Sequence, residues 1–295
     1  MEQLKKTFCL YDMVCDNPKG DGVEINRMPE FFGTKPVLET CRTHVHPFYE
    51  IVWFHKGSGT HIVDFTEYPV TDNSIFFIAP GQVHSFDTTK DSQGVVIKVC
   101  THLLNDGAIG DSVLLKYNVF NTIDGLPFKR ISEQCAEEIT KIIGLMEEEL
   151  GNAGVIGHKD YLRSLVIMML IQIARYQIDG DNVVFSPNRT AQRVFLAFRR
   201  EIEHNFRKKH TVKEYADLLN VSTKTLSNYV AECSTYSPLE LINNRIALEA
   251  KRMLRFSDMM VKQIAAELGF EDPSYFNKFF KRLVKCSAAE YRTPE

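Results

Sequence analysis

The C-terminal third of the chain contains one helical pattern twice, as 212-VKEYADLLNV-221 and 261-VKQIAAELGF-270. Val, Lys, Ala and Leu occupy matching places 49 residues apart. In each copy an Ala-x-x-Leu pair forms an apolar helix face. It is followed by Asn220 or Gly269, residue types that tolerate a left-handed turn conformation. Each copy therefore predicts a short helix that ends in a tight turn.

A second, capped helix is predicted after each turn. Ser222 can cap the helix TKTLSNYVAEC (223–233), and Asp272 with Pro273 can begin the helix that contains SYFNKFFKRLVK (274–285). Helix, short turn and helix form the arrangement that places its second helix in the DNA major groove. The pattern therefore predicts two helix-turn-helix units in one chain.

A long helix is predicted between the two units. Ser237, Pro238 and Glu240 form a capping box with proline at the first helical position. About 18 helical residues span roughly 27 Å. A helix of this length can hold two helix-turn-helix units near consecutive major-groove segments, which repeat at about 34 Å. The predicted apolar stripe of this helix consists of Leu239, Ile242, Ile246, Ala250, Met253 and Leu254.

Residues 190–295 resemble the C-terminal DNA-binding domain of AraC-type transcription regulators. The stretch KQIAAELGFEDPSYFNKFFKR (262–282) follows the family pattern IAxxxGFxxxSYFxxxFK. The resemblance implies sequence-specific binding to double-stranded DNA by the exposed faces of two recognition helices, with side chains suited to base edges and phosphates. The candidate DNA-binding residues are Lys224, Ser227, Asn228, Ser274, Asn277, Lys278 and Lys281.

Three positions depart from the family pattern. The glycine that usually ends each recognition helix is Thr235 in the first unit and Lys285 in the second, and the usual polar cap before the second copy is Met260. A non-glycine residue held in the left-handed conformation costs on the order of 1 kcal/mol, and a missing cap costs about 1 kcal/mol. These departures predict a locally weakened second unit.

The N-terminal part of the chain carries a pattern of histidines among predicted strands. Short β-rich runs separated by turn signals fill residues 31–100 and predict a sandwich or barrel. The string HVHPFYEIVWFHKG (44–57) and the string PGQVH (80–84) resemble the two motifs of the cupin barrel, although Leu38 replaces the usual upstream glycine. Three histidines and one carboxylate are the residue types of a transition-metal site. The candidate metal ligands are His44, His46, Glu50 and His84.

Two functions of different classes fit this barrel. A cupin metalloenzyme or metal-binding protein would hold Mn, Fe, Ni or Zn with all four side chains, whereas a sensor would bind a small-molecule effector without chemistry. AraC-type regulators commonly carry such a barrel before the DNA-binding domain, and a dedicated enzyme has no use for a double DNA reader. We therefore predict a regulator and not an enzyme, with no cofactor expected and a transition metal left open. The candidate effector-binding residues are His46, Glu50, Trp53, His61 and His84, and the rings of Phe48, Tyr49 and Phe54 raise a sugar as the effector.

Two amphipathic helices are predicted over residues 131–178, and the second is apolar on nearly all sides. Such a helix is either fully buried or part of a dimer seam, and the resemblance favours a homodimer. The predicted class is thus α+β. Its domains are a cupin-like barrel (1–130), a helical dimerisation pair (131–179), a linker (180–190) and an all-α double helix-turn-helix domain (191–295).

Composition agrees with this division. Residues 191–295 hold 18 Lys and Arg against 13 Asp and Glu, whereas the rest of the chain holds 17 against 25. Only the basic C-terminal part is therefore expected to meet a polyanion. Seven scattered cysteines without a CxxC pair favour free thiols, and no signal peptide or membrane-length apolar stretch is found. We expect a bacterial, cytoplasmic activator or repressor without membrane association, and RNA polymerase is a further partner to consider.

Overall fold

The computed structural model describes residues 9–10, 20–28, 43–88, 92–105, 119–120, 126–175, 177–179 and 188–293. The chain divides into two compact units, one of residues 9–182 and one that contains residues 183–295. Most of the predicted linker (180–190) and the predicted strand region 31–42, with Leu38, lie outside the described residues. The domain boundaries drawn from the sequence stay a prediction.

Two sheets make up the N-terminal unit. A sheet of five strands has the order β1-β3-β8-β5-β6, and a sheet of six strands has the order β11-β10-β7-β4-β9-β2. All strand pairs are antiparallel except β1 with β3. The strands are β1 (Cys9–Leu10), β2 (Val23–Arg27), β3 (His44–Val45), β4 (Tyr49–Lys56), β5 (Gly59–Val63), β6 (Thr66–Pro69), β7 (Ser74–Ile78), β8 (His84–Thr88), β9 (Gln93–Val99), β10 (Phe128–Ile131) and β11 (Gln177–Asp179).

Strand β4 shows how the barrel separates its two faces. Successive side chains of a strand point to opposite faces of the sheet. Val52 and Phe54 pack between the two sheets, with Phe76 from the neighbouring strand β7 and Phe86 from β8 of the other sheet. The other face of the six-stranded sheet packs against the helices that follow the barrel. Residues 9–182 therefore contain an inner core between the sheets and an outer core beneath the helices.

The helices of this unit are α1 (Thr101–Asn105), α2 (Glu133–Leu150) and α3 (His158–Arg175). The predicted helix range 131–178 was too wide at both ends. Ile131 is the last residue of strand β10, and Gln177–Asp179 forms strand β11, which pairs with it. Ser132 caps α2 by accepting a hydrogen bond from Cys135 N–H. Each helix buries one apolar face, as its amphipathic pattern predicted, and Met168 of α3 is 40% exposed. The apolar surface of α3 thus extends beyond the core, and the dimer seam stays a prediction.

Every described residue of the C-terminal unit lies in a helix or a helix connection. The helices are α4 (Arg189–Asn205), α5 (Val212–Leu218), α6 (Thr223–Cys233), α7 (Pro238–Phe256), α8 (Val261–Glu267), α9 (Pro273–Val284) and α10 (Ala288–Arg292). The predicted capping box of α7, between Ser237 and Glu240, is confirmed. Its predicted stripe is correct except at Leu239, which is 46% exposed, while Leu241 is buried instead. Together with the barrel, this unit confirms the predicted α+β class.

The cysteines depart in part from the expectation of free thiols. Cys135, Cys233 and Cys286 are free, whereas Cys100 is disulfide-bonded. Sequence spacing carries no information on which cysteines meet in space, so this difference could not be read from the pattern. Among the described residues, no helix is both long enough and apolar enough to cross a membrane.

Lys285 supplies a test of the missing glycine. It ends α9 with φ 71°, in the left-handed region, whereas Thr235 is not among the described residues with positive φ. We expect Lys285→Gly to raise the free energy of unfolding of the C-terminal unit by about 1 kcal/mol. Thr235→Gly is the matched control and should lower it by a few tenths to about 1 kcal/mol. Thermal unfolding of the full-length protein measures both, and equal effects would contradict the conformational argument.

Candidate DNA interface and effector site

The two turns have the same hydrogen bonds at equivalent residues. Val221 N–H donates to Ala216 O at 3.0 Å, and Phe270 N–H donates to Ala265 O at 2.9 Å. Asn220 and Gly269 occupy the left-handed position with φ 53° and φ 79°. The sequence repeat therefore corresponds to a repeat of local structure, as predicted.

The two recognition helices bury one face and expose the other. On α6, Leu226 and Val230 are buried, and on α9 the buried residues are Phe276, Phe279 and Phe280. All seven candidate DNA-binding residues are exposed, namely Lys224, Ser227, Asn228, Ser274, Asn277, Lys278 and Lys281. The Asn277 side-chain amide donates one hydrogen to Pro273 O at 3.1 Å, which leaves its second N–H and its Oδ1 for DNA. The contacts themselves stay a prediction.

An ion-pair network centred on the buried residues Arg245 and Glu249 joins the elements of this unit, and sequence reasoning missed it. Glu249 of α7 accepts from Arg207 at 2.7 Å and from Arg245 at 3.0 Å. Arg245 also donates to Glu203 of α4 at 2.8 Å, and Arg207 donates to Glu267 of α8 at 2.8 Å. The i,i+4 spacing of Arg245 and Glu249 was visible in the sequence. The network links α4, α7 and α8, so it fixes the framework that carries both turns.

Glu249 is charged although it is buried. Burial by itself would raise the pKa of this carboxyl group, but the guanidinium groups of Arg245, Arg252 and Arg207 lower the pKa to about 2. Opposite charges at close range favour the ionised form and here outweigh desolvation. The pKa of Arg245 is correspondingly raised, although burial alone would lower it, because Glu203 and Glu249 stabilise its charge.

Inside the barrel, three of the four candidate metal ligands converge. The ligand atoms of His46, Glu50 and His84 lie within 4.8 Å of one another, and all three residues are buried. Oε1 of Glu50 lies 3.9 Å from Nε2 of His46 and 3.9 Å from Nε2 of His84. The Nε2 atoms of His46 and His84 have no hydrogen-bond partner among the described residues. These residue types at these positions can hold a cation or a polar ligand.

The histidines of this cluster are held in the neutral state. Burial is the largest cause that lowers the pKa of His46, to about 3, and the neighbouring His44 lowers it further. Burial and then the nearby histidines also place the pKa of His61 and the pKa of His84 well below the usual value. A neutral imidazole keeps one nitrogen lone pair, which is the form that binds metal ions.

His44 and Trp53 differ from their predicted places, whereas His61 lies at the site. His44 is buried with its ring centroid 4.1 Å from that of His84, but it is outside the converging group of three. His61 is fully buried beside the site, since its Nε2 lies 3.1 Å from His84 Nδ1. Trp53 belongs to the outer core beneath the helices and points away from Glu50 along β4. Trp53 is therefore wrong as a residue of the barrel interior.

Trp53 instead lines a groove on the outer side of the six-stranded sheet. The groove has a volume of about 480 Å³ and is also bordered by His55 and Lys141. The structure gives less support to stacking of a sugar effector on the rings of Phe48 and Phe54. Phe48 and Phe54 are fully buried core residues, and the Phe48 ring stacks on His46 at 4.2 Å.

Two models of protein families match the chain in the order of the two units. The AraC-like ligand binding domain matches residues 36–165, and the helix-turn-helix domain matches residues 215–294. A ligand-binding barrel joined to two helix-turn-helix units defines a DNA-binding transcription regulator with an N-terminal ligand-binding domain. The chain belongs to the AraC-type transcription regulators, as the sequence predicted. These two matches favour a regulator over the alternative function, a cupin-type metalloenzyme.

The chain is similar to several known proteins at low sequence identity. The chain is 23% identical to the HTH-type transcriptional activator RhaS of Escherichia coli (strain K12) over 254 residues, which cover 84% of this chain and 86% of RhaS. Among solved structures, ToxT from Vibrio cholerae covers 92% of this chain and 97% of its own, with 15% identity and a TM-score of 0.40. The C-terminal domain of the response regulator AraT from Geobacillus stearothermophilus covers 34% of this chain and 83% of its own, with 25% identity and a TM-score of 0.32.

Proposed function

We propose that this regulator reads promoter DNA with α6 and α9 and responds to an effector held inside its barrel. The two turns with equivalent hydrogen bonds carry this proposal, because they orient two exposed helices in the same local way. We further propose that the protein acts in the cytoplasm and that RNA polymerase is its partner at the promoter.

The DNA contacts follow from exposure, charge and spacing. Lys224, Lys278 and Lys281 are exposed on the recognition helices and suit guanine edges or phosphates. The polar residues between them, Ser227 and Asn228 on α6 with Ser274 and Asn277 on α9, complete two reading faces. The 19 residues of α7 span about 28 Å, against a groove repeat of about 34 Å. One chain therefore fits two consecutive groove segments.

Lys278→Ala is expected to weaken binding to the selected DNA site by about 1–3 kcal/mol if Lys278 contacts a base. The site is first obtained by selecting bound sequences from random duplexes with the full-length protein. Affinities are then measured by titration on the selected duplex and on a scrambled duplex. Lys159→Ala removes an equal charge from an exposed position of α3 and should leave both affinities unchanged.

The two duplexes separate the roles of Lys278. An equal loss on both would assign the residue to phosphate and reject base reading, whereas a loss confined to the selected duplex supports it. Binding should also weaken steeply as salt rises, because Lys contacts to phosphate release counterions. If the full-length protein selects no preferred duplex at all, the proposed promoter reading fails.

The effector site is proposed at the polar cluster of His46, Glu50, His61 and His84. This cluster borders the apolar core between the sheets, since the His61 ring packs on Phe76 and Phe86 with centroids 4.5 Å and 4.0 Å away. Buried polar atoms without partners are rare and favour a ligand with complementary groups. Occupancy of the site would shift the population of DNA-binding states.

Dimerisation is proposed through the helix pair. Leu145 of α2 and Tyr161 and Met168 of α3 are exposed by 39%, 47% and 40%, and Ile156 between the helices by 98%. Apolar side chains grouped on a surface favour an interface with a protein partner, and a second copy is the occupant that the family resemblance implies. Sedimentation of the full-length protein across concentration measures the association.

A further inference from the structure

The buried cluster of His46, Glu50 and His84 inside the barrel has an unusual hydrogen-bonding balance. His46, Glu50 and His84 are at most 3% exposed, and the described residues provide no hydrogen bond to Nε2 of His46 or Nε2 of His84. Most buried side-chain polar atoms in proteins have a partner, so two such atoms facing one carboxylate require an explanation. A bound group between the three side chains would satisfy them together.

The tautomers favour a positively charged occupant. His46 Nδ1 lies 2.8 Å from Phe48 O, and a carbonyl oxygen can only accept, so Nδ1 carries the hydrogen. The lone pair of neutral His46 is therefore on Nε2, directed at Glu50. Metal-binding histidines characteristically donate their other N–H to a carbonyl or to another acceptor in this way. A water molecule could donate to both histidine nitrogens but would present its own lone pairs to the Glu50 carboxylate, whereas a cation is attracted by all three side chains.

The Nδ1 atom of His84 also has a hydrogen-bond partner, His61 on the neighbouring strand β5. His84 Nδ1 lies 3.1 Å from Nε2 of His61, because β5 and β8 pair with Val63 opposite His84. If His84 Nδ1–H donates to His61, the lone pair of His84 is also on Nε2 and faces Glu50. His61 then fixes the ring orientation of His84 without contacting the occupant, which makes it a positioning residue.

We propose that the barrel binds one divalent transition-metal cation through His46 Nε2, Glu50 Oε1 and His84 Nε2, with His61 as a positioning residue. Two imidazoles and one carboxylate suit Zn²⁺, Fe²⁺, Co²⁺ and Ni²⁺ better than Mg²⁺ or Ca²⁺, which prefer oxygen ligands. His44, which the sequence placed among the ligands, is not part of this set.

The observed separations are compatible with such an ion. Metal–nitrogen and metal–oxygen bonds of about 2.0–2.2 Å bring ligand atoms to roughly 3–3.5 Å from one another. The carboxylate oxygen is 3.9 Å from each imidazole nitrogen, and the three ligand atoms lie within 4.8 Å of one another, so closure by roughly 0.5–1.5 Å through side-chain rotation brings them to these distances. Three protein ligands leave at least one coordination position for water or for a donor atom of the effector. This last consequence rests on the proposed effector function, whereas metal binding does not.

The test uses tag-free, full-length protein that has been stripped with a chelator and dialysed. Titration with Zn²⁺, followed by calorimetry, is expected to show one ion bound per chain and a rise in melting temperature. Titration with Co²⁺ is expected to give visible d–d absorption of a nitrogen- and oxygen-ligated ion. Mg²⁺ at the same concentration should give neither signal.

Three variants and one control identify the ligands. Glu50→Gln and His84→Gln should weaken Zn²⁺ binding by about tenfold or more and abolish the Co²⁺ spectrum. His61→Gln should weaken binding about 10- to 100-fold while the stoichiometry stays at one ion per chain. His55→Gln removes a histidine that contacts Trp53 on the outer face of β4 and should leave binding unchanged. Circular dichroism confirms that each variant is folded.

The outcomes decide between a built site and an incidental one. No stoichiometric Zn²⁺ or Co²⁺ binding by the wild type overturns the proposal, and so does equal binding by the wild type and a folded Glu50→Gln variant. DNA affinity is measured separately with and without Zn²⁺. If DNA is never bound selectively, the proposed promoter reading fails while the metal result stands. If DNA is bound but the ion is not, only the metal proposal fails.

Discussion

Glu249→Ala is expected to lower the free energy of unfolding of the C-terminal unit by about 3–5 kcal/mol. The carboxylate is buried and is within 2.7 Å of Arg207, 3.0 Å of Arg245 and 3.6 Å of Arg252. Removing one member of a buried ion-pair network leaves desolvated charge with less compensation, which costs far more than the loss of a surface pair. Thermal or urea unfolding of the full-length protein, followed by a probe in the C-terminal unit, measures the loss.

Glu271→Ala is the matched control for this prediction. Glu271 lies in the second turn region of the same unit and is exposed, so its removal should change the free energy of unfolding by no more than about 0.5 kcal/mol. A loss below about 1 kcal/mol for Glu249→Ala would contradict the structural role of the network. DNA affinity should fall only where the variant is partly unfolded, because Glu249 faces the protein interior.

The same network predicts a dependence of stability on acid. The pKa of Glu249 is about 2 in the folded protein, against an ordinary value of 4.5. A lowered folded-state pKa means that the unfolded chain takes up the proton first, so stability is full above about pH 5 and declines as the pH falls toward 2. Glu249→Gln removes this titration and should give a flatter stability curve between about pH 5 and pH 2.

The DNA-binding unit was predictable because its signals are local. Capping residues, the Ala-x-x-Leu faces and the left-handed positions Asn220 and Gly269 all act within one or two helical turns. Such signals depend on neighbouring residues and not on distant parts of the chain. The exposed face of α9 was predicted correctly for the same reason, since Phe276, Phe279 and Phe280 define the buried side.

The barrel was only partly predictable because its strands are buried on both faces. From Glu50 to Phe54 every residue of β4 is buried, so the period of two separates the faces without showing which one lies inside. Trp53 was therefore assigned to the interior although it packs beneath the helices. The neighbours of His61 were also hidden, because they depend on the pairing of β5 with β8 across 23 residues.

The ion-pair network was not predictable from the sequence beyond its one local pair. Arg207 and Glu249 are 42 residues apart, as are Glu203 and Arg245. The sequence around these four residues does not show that α4 packs on α7. Charged residues are usually solvated, so their residue types give no sign of burial. Burial of Glu249 follows from tertiary packing alone.

Gly269→Ala is expected to lower the free energy of unfolding of the C-terminal unit by about 2–5 kcal/mol. Gly269 has φ 79°, a conformation that costs an alanine about 1–2 kcal/mol. A Cβ atom at this position would also lie 2.1 Å from the backbone oxygen of Arg207, and relief of such overlap typically costs another 1–3 kcal/mol. The obstacle is backbone and not the end of a flexible side chain, so the turn or the α4–α5 connection must move.

Asn220 offers the control, because it holds the equivalent position of the first unit with φ 53°. Asn220→Gly should be neutral or slightly stabilising, and Asn220→Ala should cost only the conformational energy of about 1–2 kcal/mol. The difference between Gly269→Ala and Asn220→Ala then measures the steric part at Arg207. If the two alanine variants unfold alike, there is no close approach at Gly269. If Gly269→Ala lowers the free energy of unfolding much more than Asn220→Ala does, the second turn is held against the α4–α5 connection. Selective DNA binding should then be lost in the Gly269→Ala variant while the first helix-turn-helix unit is still folded.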